Sequence, residues 1–187
     1  MPGQPASLGK TLRRALLLDA HFYEYTPNTQ RTRQQARTIV LLAAVSYALG
    51  NALILLINRA RLPIFLLGIT IVALAVVVGY YFWTLTIWLI GQQLKRYRLS
   101  YSDLLVPIGF AYAPQVLNFL TLVPLLGRPI ELGLAAWTLL TITVAVRQGL
   151  DIQTRWALAI ALIGWIPIQI AIGSVQVLQQ ILVEATH

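Results

Sequence analysis

The chain has 187 residues, 58% of them hydrophobic and 11% charged, a net charge of +8 and a mean hydropathy of +0.72. Soluble domains carry about 45–50% apolar and about 25% charged residues, so this balance excludes an ordinary water-soluble fold and points to an integral membrane protein. Cysteine is absent, which excludes disulfides and thiolate metal sites.

From the amino terminus, "MPGQPASLGKTLRRALLLDA" lacks a continuous apolar stretch ending in a small-residue cleavage site, so no signal peptide is expected. Over residues 8–20, Leu8, Leu12, Ala15 and Leu16 recur at helical spacing while Lys10, Arg13 and Arg14 project from the other side. This pattern predicts an amphipathic helix lying on the membrane surface. Phe22, Tyr23 and Tyr25 follow, rings that favour the headgroup layer. Two roles fit the segment: an anchor packed on the membrane domain, or a docking surface for a cytoplasmic partner. Pro27 then breaks the chain, and Asn28 or Thr29 is placed to cap the next helix.

Five charge-poor stretches follow, at 38–57, 62–91, 104–127, 129–146 and 156–183. Each is read as a transmembrane helix, since a bilayer core needs about 20 apolar residues. The second is long enough to tilt or protrude. The fourth is the shortest and reaches crossing length only by starting at Pro129, with Arg128 and Glu131 at the interface. The predicted architecture is therefore all-α and polytopic: a cytoplasmic segment over 1–37, a five-span domain over 38–183 and an external tail at 184–187. Eleven of the 14 Lys and Arg residues lie before span one, between spans two and three, or between spans four and five. Basic loops are retained in the cytoplasm, which puts the amino terminus inside and the carboxyl terminus outside. The same bias accounts for the net charge through contact with anionic headgroups. The cations are separated by hydrophobic spans and no base-stacking platform accompanies them, so nucleic acid is excluded as a partner.

Within the spans, no ionisable residue falls near the bilayer midplane, where pumps and transporters place them. Paired carboxylates, a His cluster and an activated Ser or Thr are all missing from the pattern. The chain is expected to be non-enzymatic and to need no cofactor or metal. The interior polar residues are neutral: Ser46 and Asn51 in span one, Gln115 and Asn118 in span three, Gln169 and Gln176 in span five. They serve either interhelical hydrogen bonding or a polar path for a small solute. Ser46/Gly50, Gly109/Ala113 and Ala157/Ala161 are small-residue pairs that permit close helix approach.

The stretch "VPIGFAYAPQVLNFLTLVPLLGRPIEL", over span three and the start of span four, contains four prolines. Pro107 fits the first turn after Asp103 as N-cap, and Pro124 and Pro129 fit the external turn. Pro114 lies inside the span, where it should kink the helix and leave a carbonyl for Gln115, Asn118 or a neighbouring helix to satisfy. Pro167 in "GWIPIQIAIG" is the comparable break in span five. Kinks for packing and a cavity between spans three and five are the two readings. In "RQGLDIQTRW", Gly149 is placed to end span four and Thr154 to cap span five. Arg147 and Arg155 then flank Asp151 as an anchoring or docking patch.

Five spans, a cytoplasmic amino terminus and the patterns "LRRALLLDAHFYEY", "DLLVPIGFAYAPQVL" and "AAWTLLTITVAVRQGLDIQTRWALA" together resemble the Yip family, the Ypt/Rab-interacting five-span membrane proteins, in its bacterial branch. The resemblance covers residues 8–180. It implies a compact five-helix bundle in a bacterial plasma membrane, with the third to fifth spans packed together. Eukaryotic relatives bind small GTPases and act in vesicle traffic and membrane shaping. The Asp-Leu-Tyr-Gly-Pro motif of those members is missing here, so the resemblance does not carry GTPase binding to this chain. Two functions follow as expectations. One is a scaffold or adaptor joined to other membrane proteins or to a second copy. The other is a small permease, channel or lipid-handling protein with a path by Pro114, Gln115, Asn118 and Gln169.

Overall fold

The computed structural model describes residues 7–57, 59–94, 100–123 and 125–184. These residues are helical apart from short connections, with no strand among them. Four helical stretches among them, Gln30–Ile57, Leu62–Gln93, Tyr101–Leu122 and Gly127–Leu150, are long and apolar enough to cross a bilayer. The fold is that of an all-α membrane protein.

Helix α1 (Leu8–Leu16) and helix α2 (Ala20–Tyr25) form a hairpin ahead of α3 (Gln30–Ile57). The hairpin turns at Leu18, which takes a left-handed φ of 57°, and Asp19 caps α2 by accepting from the Phe22 amide at 3.3 Å. Thr29 caps α3 in a reciprocal arrangement. Its hydroxyl accepts from the Thr32 amide at 3.3 Å and its amide donates to the Thr32 hydroxyl at 2.9 Å. Asn28 instead ties this end of the bundle together, donating to the Ser102 carbonyl at 3.1 Å and to Asp103 Oδ1 at 2.7 Å.

Helix α4 (Leu62–Leu94) has 33 residues and spans about 50 Å at 1.5 Å per residue, well beyond a hydrocarbon core of about 30 Å. It buries one stripe, Val76, Tyr80, Trp83, Thr84 and Ile87, while Leu74, Val78, Phe82 and Leu85 stay exposed. The third crossing is divided. Helix α5 (Tyr101–Ala111) gives way at Tyr112 to a 3-10 helix over Ala113–Leu122. Ser100, not Asp103, precedes the first residue of α5, and Pro107 lies inside it. Asp103 is drawn to Asn28 instead of capping.

Helix α6 (Gly127–Leu150) has 24 residues, about 36 Å, so the shortest predicted span has crossing length. It runs past Gly149, which faces Leu104 of α5; a Cβ there would sit 3.4 Å from Leu104 Cδ2. The helix ends one step later. Asp151 adopts the left-handed conformation and the Ile152 amide reaches back to the Arg147 carbonyl at 3.2 Å, a Schellman-type stop. Helix α7 (Thr154–Glu184) begins at Thr154 and continues unbroken through Pro167.

The third crossing is the hub of the bundle, with α3, α4 and α6 around α5, and α3 and α6 around the 3-10 helix. Leu104, Val106, Ile108, Phe110 and Ala111 are all buried. Gly109 permits a close approach of α5 to α3, since a Cβ there would stand 2.8 Å from that of Ala36. Helix α7 packs on α4 and α6, so α6 links it to α5 and the 3-10 helix.

The amino-terminal hairpin is seated differently from a helix resting on the surface. Thr11 and Ala15 are buried and Leu8, Leu12 and Leu16 pack on the core. Trp137, near the middle of α6, donates to the Leu16 carbonyl at 3.2 Å. The Phe22 ring lies 5.1 Å from that of Phe110. The hairpin thus reaches along the bundle toward mid-height. Arg13 and Arg14 remain exposed on its outer side, with Arg14 only 3.9 Å from Asp19.

Candidate functional site

Pro114 fixes the geometry of the candidate site. A proline has no amide proton to give the turn before it; in a 3-10 helix, with i to i+3 bonding, the carbonyl left bare is that of Ala111. The Thr141 hydroxyl of α6 lies 2.9 Å from the Ala111 oxygen and shares its one proton between that carbonyl and those of Trp137 and Thr138 on its own helix, at 3.1 and 2.8 Å. A neighbouring helix therefore satisfies the break, as one of the predicted options required.

The 3-10 conformation also sets which side chains line up. With three residues per turn, positions three apart are eclipsed, so Tyr112, Gln115, Asn118 and Thr121 form a single row. The row rises about 6 Å per step at about 2 Å per residue. Ten residues of 3-10 helix is long for an element usually limited to 3–4 residues. Tyr112 packs on Tyr80 and Trp83 of α4, and the rest of the row lies against α3 and α6. Ser46 accepts from the Phe119 amide at 2.7 Å, and a Cβ on Gly50 would stand 3.3 Å from Thr121 Oγ1 and 3.6 Å from Asn118 Nδ2.

The hydroxyl of Thr138 donates to Leu134 of its own helix at 2.8 Å. It has one proton, so its 2.8 Å contact with Gln115 Nε2 must be one in which the amide donates. This orients the Gln115 side chain and leaves Oε1 free. Among the described residues, Gln115 Oε1, Asn118 Oδ1 and Asn51 Nδ2 are buried with no hydrogen-bond partner. Gln115 is 6% exposed and Asn118 5% exposed. Buried polar atoms are rarely left unpaired, because each costs about 1–3 kcal/mol, so two on the 3-10 helix after the break, with a third on Asn51 next to Gly50 of α3, mark this place above the rest of the interior.

The other predicted residues fall elsewhere. Pro167 is exposed on α7, and the side chains of Gln169 and Gln176 lie outside those described. The 3-10 helix packs mainly on α3 and α6, so the polar cluster sits between spans one, three and four instead of between spans three and five. The physical reason is the eclipsed row, which turns Gln115 toward Thr138. Thr138, Thr141 and Thr121 are members that the sequence reading did not single out. Two threonines three residues apart in an apolar helix were the available signal.

The predicted docking residues divide. Tyr23 is 5% exposed and donates to the Ala15 carbonyl at 3.4 Å; burial pushes its phenol pKa well up. Phe22 is half-buried against Phe110. Tyr23 is turned into the bundle, and Phe22 keeps only part of its ring exposed. Arg147, Asp151 and Arg155 are exposed at the α6–α7 turn. There Arg147, Gln148, Asp151, Ile152, Gln153 and Thr154 frame a cleft of about 490 Å³. Arg155 lies 6.0 Å from the Trp156 ring centroid. Among the described residues no three His, Asp or Glu side chains gather as a metal site would require.

Comparison of the chain with protein-family models, curated proteins and solved structures gives no match.

Proposed function

We propose that the chain is a non-enzymatic integral membrane scaffold or adaptor of five crossings, with a cytoplasmic amino terminus, in a bacterial plasma membrane and similar to the Yip family. The observation that supports this reading best is the polar cleft at the α6–α7 turn, about 490 Å³ and framed by exposed Arg147 and Asp151. In the proposed orientation it opens on the cytoplasm, with Arg155 and Trp156 at headgroup level beside anionic lipid. Its occupant is a protein neighbour, either another membrane protein or a second copy. Mild extraction followed by native mass spectrometry tests this. A defined oligomer or a specific co-purifying chain that is lost in Arg147→Glu/Arg155→Glu supports the proposal; clean monomers in both proteins remove it.

A second reading, a small-solute path, is favoured by the three unpartnered polar atoms around the 3-10 helix. Its course runs between α3, the 3-10 helix and α6. Solute or water flux through the purified protein in liposomes tests it, with an Asn118→Leu variant as the comparison.

A further inference from the structure

The row on the 3-10 helix opens toward one end of the bundle. Tyr112, Gln115 and Asn118 are buried, and Thr121, at the end away from Asn28 and Asp103, is half-buried, as is Asn51, which follows the Gly50 that packs on Thr121 and Asn118. The row therefore has a closed end at Tyr112, whose ring packs edge-on against Tyr80 and Trp83 at 5.7 and 6.2 Å. Its open end lies near the α3–α4 and 3-10–α6 connections.

The unpartnered atoms also have a definite inventory: two carbonyl-type acceptors, Gln115 Oε1 and Asn118 Oδ1, and one amide donor, Asn51 Nδ2. The complement is a molecule that donates twice and accepts once. Water is the smallest such molecule, and a buried water typically makes about three hydrogen bonds. A cation is a poor match. Neutral oxygens alone leave its full charge in a low-dielectric interior, and Glu131, two turns before Thr138 on α6, is already paired with Arg128 at 2.8 Å.

We propose that Asn51, Gln115 and Asn118 form a hydrated site that takes water or a small neutral molecule of the same two-donor, one-acceptor kind, is entered from the Thr121 end, and excludes cations. The site exists whether or not anything passes through the protein, so it rests on the solute-path reading only in sharing its residues.

The chain contains no cysteine, so single cysteines can be introduced into the otherwise unaltered protein. Thr121→Cys, Asn118→Cys, Gln115→Cys and Tyr112→Cys are reconstituted in liposomes and treated with a neutral hydroxyethyl methanethiosulfonate and a cationic trimethylammonium one. The expected result is modification by the neutral reagent in the order Thr121, Asn118, Gln115, none at Tyr112, and at least a tenfold slower cationic reaction at Gln115. Resistance of Asn118→Cys and Gln115→Cys to both reagents overturns the proposal, as does equal reaction with the cation at Gln115. Radiolytic footprinting of the unsubstituted protein in 18O-water guards against misfolded variants. Labelling of buried Tyr112, one turn from Gln115, above that of exposed Phe82 supports a hydrated site, and equal labelling overturns it. Flux measured on the same liposomes separates the two ideas: a hydrated site without flux keeps this inference and removes the solute path. Flux of urea as well as water identifies the wider class of guest, and flux of water alone the narrower.

Discussion

The indole nitrogen of Trp83 donates to the carbonyl of Ala161 at 3.1 Å, and the same ring presses so close to Gly164 that a Cβ there would stand 2.1 Å from its Cδ1. This pair joins α4 to α7. With lipid tails as the surrounding solvent, helices gain little from burying apolar surface, and close packing with interhelical hydrogen bonds holds them together instead. Gly164→Ala must push the helices apart and should cost about 1–3 kcal/mol, the usual penalty of overpacking. Thermal unfolding in detergent reads this. Combining it with Trp83→Ala should recover part of the loss, because the clash is removed with its partner; strict additivity would show that the two residues do not share a contact.

The Thr141 hydroxyl is the side-chain donor within reach, at 2.9 Å, of the Ala111 carbonyl that Pro114 leaves without an amide proton, and it shares that proton with two carbonyls of its own helix. Thr141→Val leaves the Ala111 carbonyl buried and bare, an expected loss of about 1–3 kcal/mol. Thr143→Val on the same helix should cost much less, since that hydroxyl bonds only back to Leu139. Pro114→Ala restores a backbone donor and should rescue Thr141→Val in the same unfolding measurement.

Asp151 holds a left-handed φ of 49° at the end of α6, a conformation that costs a residue with a Cβ about 1–2 kcal/mol. Asp151→Gly should therefore raise the melting temperature. Asp151→Val should lower it, because β-branching makes the left-handed region still less accessible.

The hairpin of α1 and α2 is held by Trp137 on Leu16 and by Phe22 on Phe110, with Arg13 and Arg14 on its exposed side. Trp137→Phe and Phe22→Ala should loosen it and speed trypsin cleavage after Arg13 or Arg14 several-fold, with the melting of the membrane domain little changed. An unchanged cleavage rate in both variants would show that these contacts do not seat the hairpin.

The Gln115 amide is oriented by Thr138, whose own proton is committed to Leu134. Asn118→Leu then discriminates a wet site from a dry one. If the Asn118 oxygen is hydrated, the substitution lowers stability by removing a satisfied group; in a dry interior it raises stability by removing an unsatisfied one.

Composition by itself determined that this is a helical membrane protein, because 58% apolar residues with so few charges have no soluble way to fold. The charge-poor stretches likewise marked where the long helices lie, since a helix that faces lipid must be apolar along its length. A cap at Asn28 or Thr29 and the break at Pro114 were legible for the same kind of reason, both being local chemistry of the backbone, and the fold chose Thr29 by drawing Asn28 to Asp103. Tertiary structure decided what local chemistry leaves open. Pro114 removes one donor wherever it stands, yet only the approach of α6 decides that Thr141 replaces it and that the chain settles into ten residues of 3-10 helix. That choice of helix turns Gln115 and Asn118 onto one face and toward α3 and α6, away from α7. Phe22 and Tyr23 read as interfacial rings because amphipathic aromatics suit a headgroup layer and a protein groove equally well. Only the neighbours Phe110 and Ala15 distinguish the two, and those neighbours are brought together by the fold.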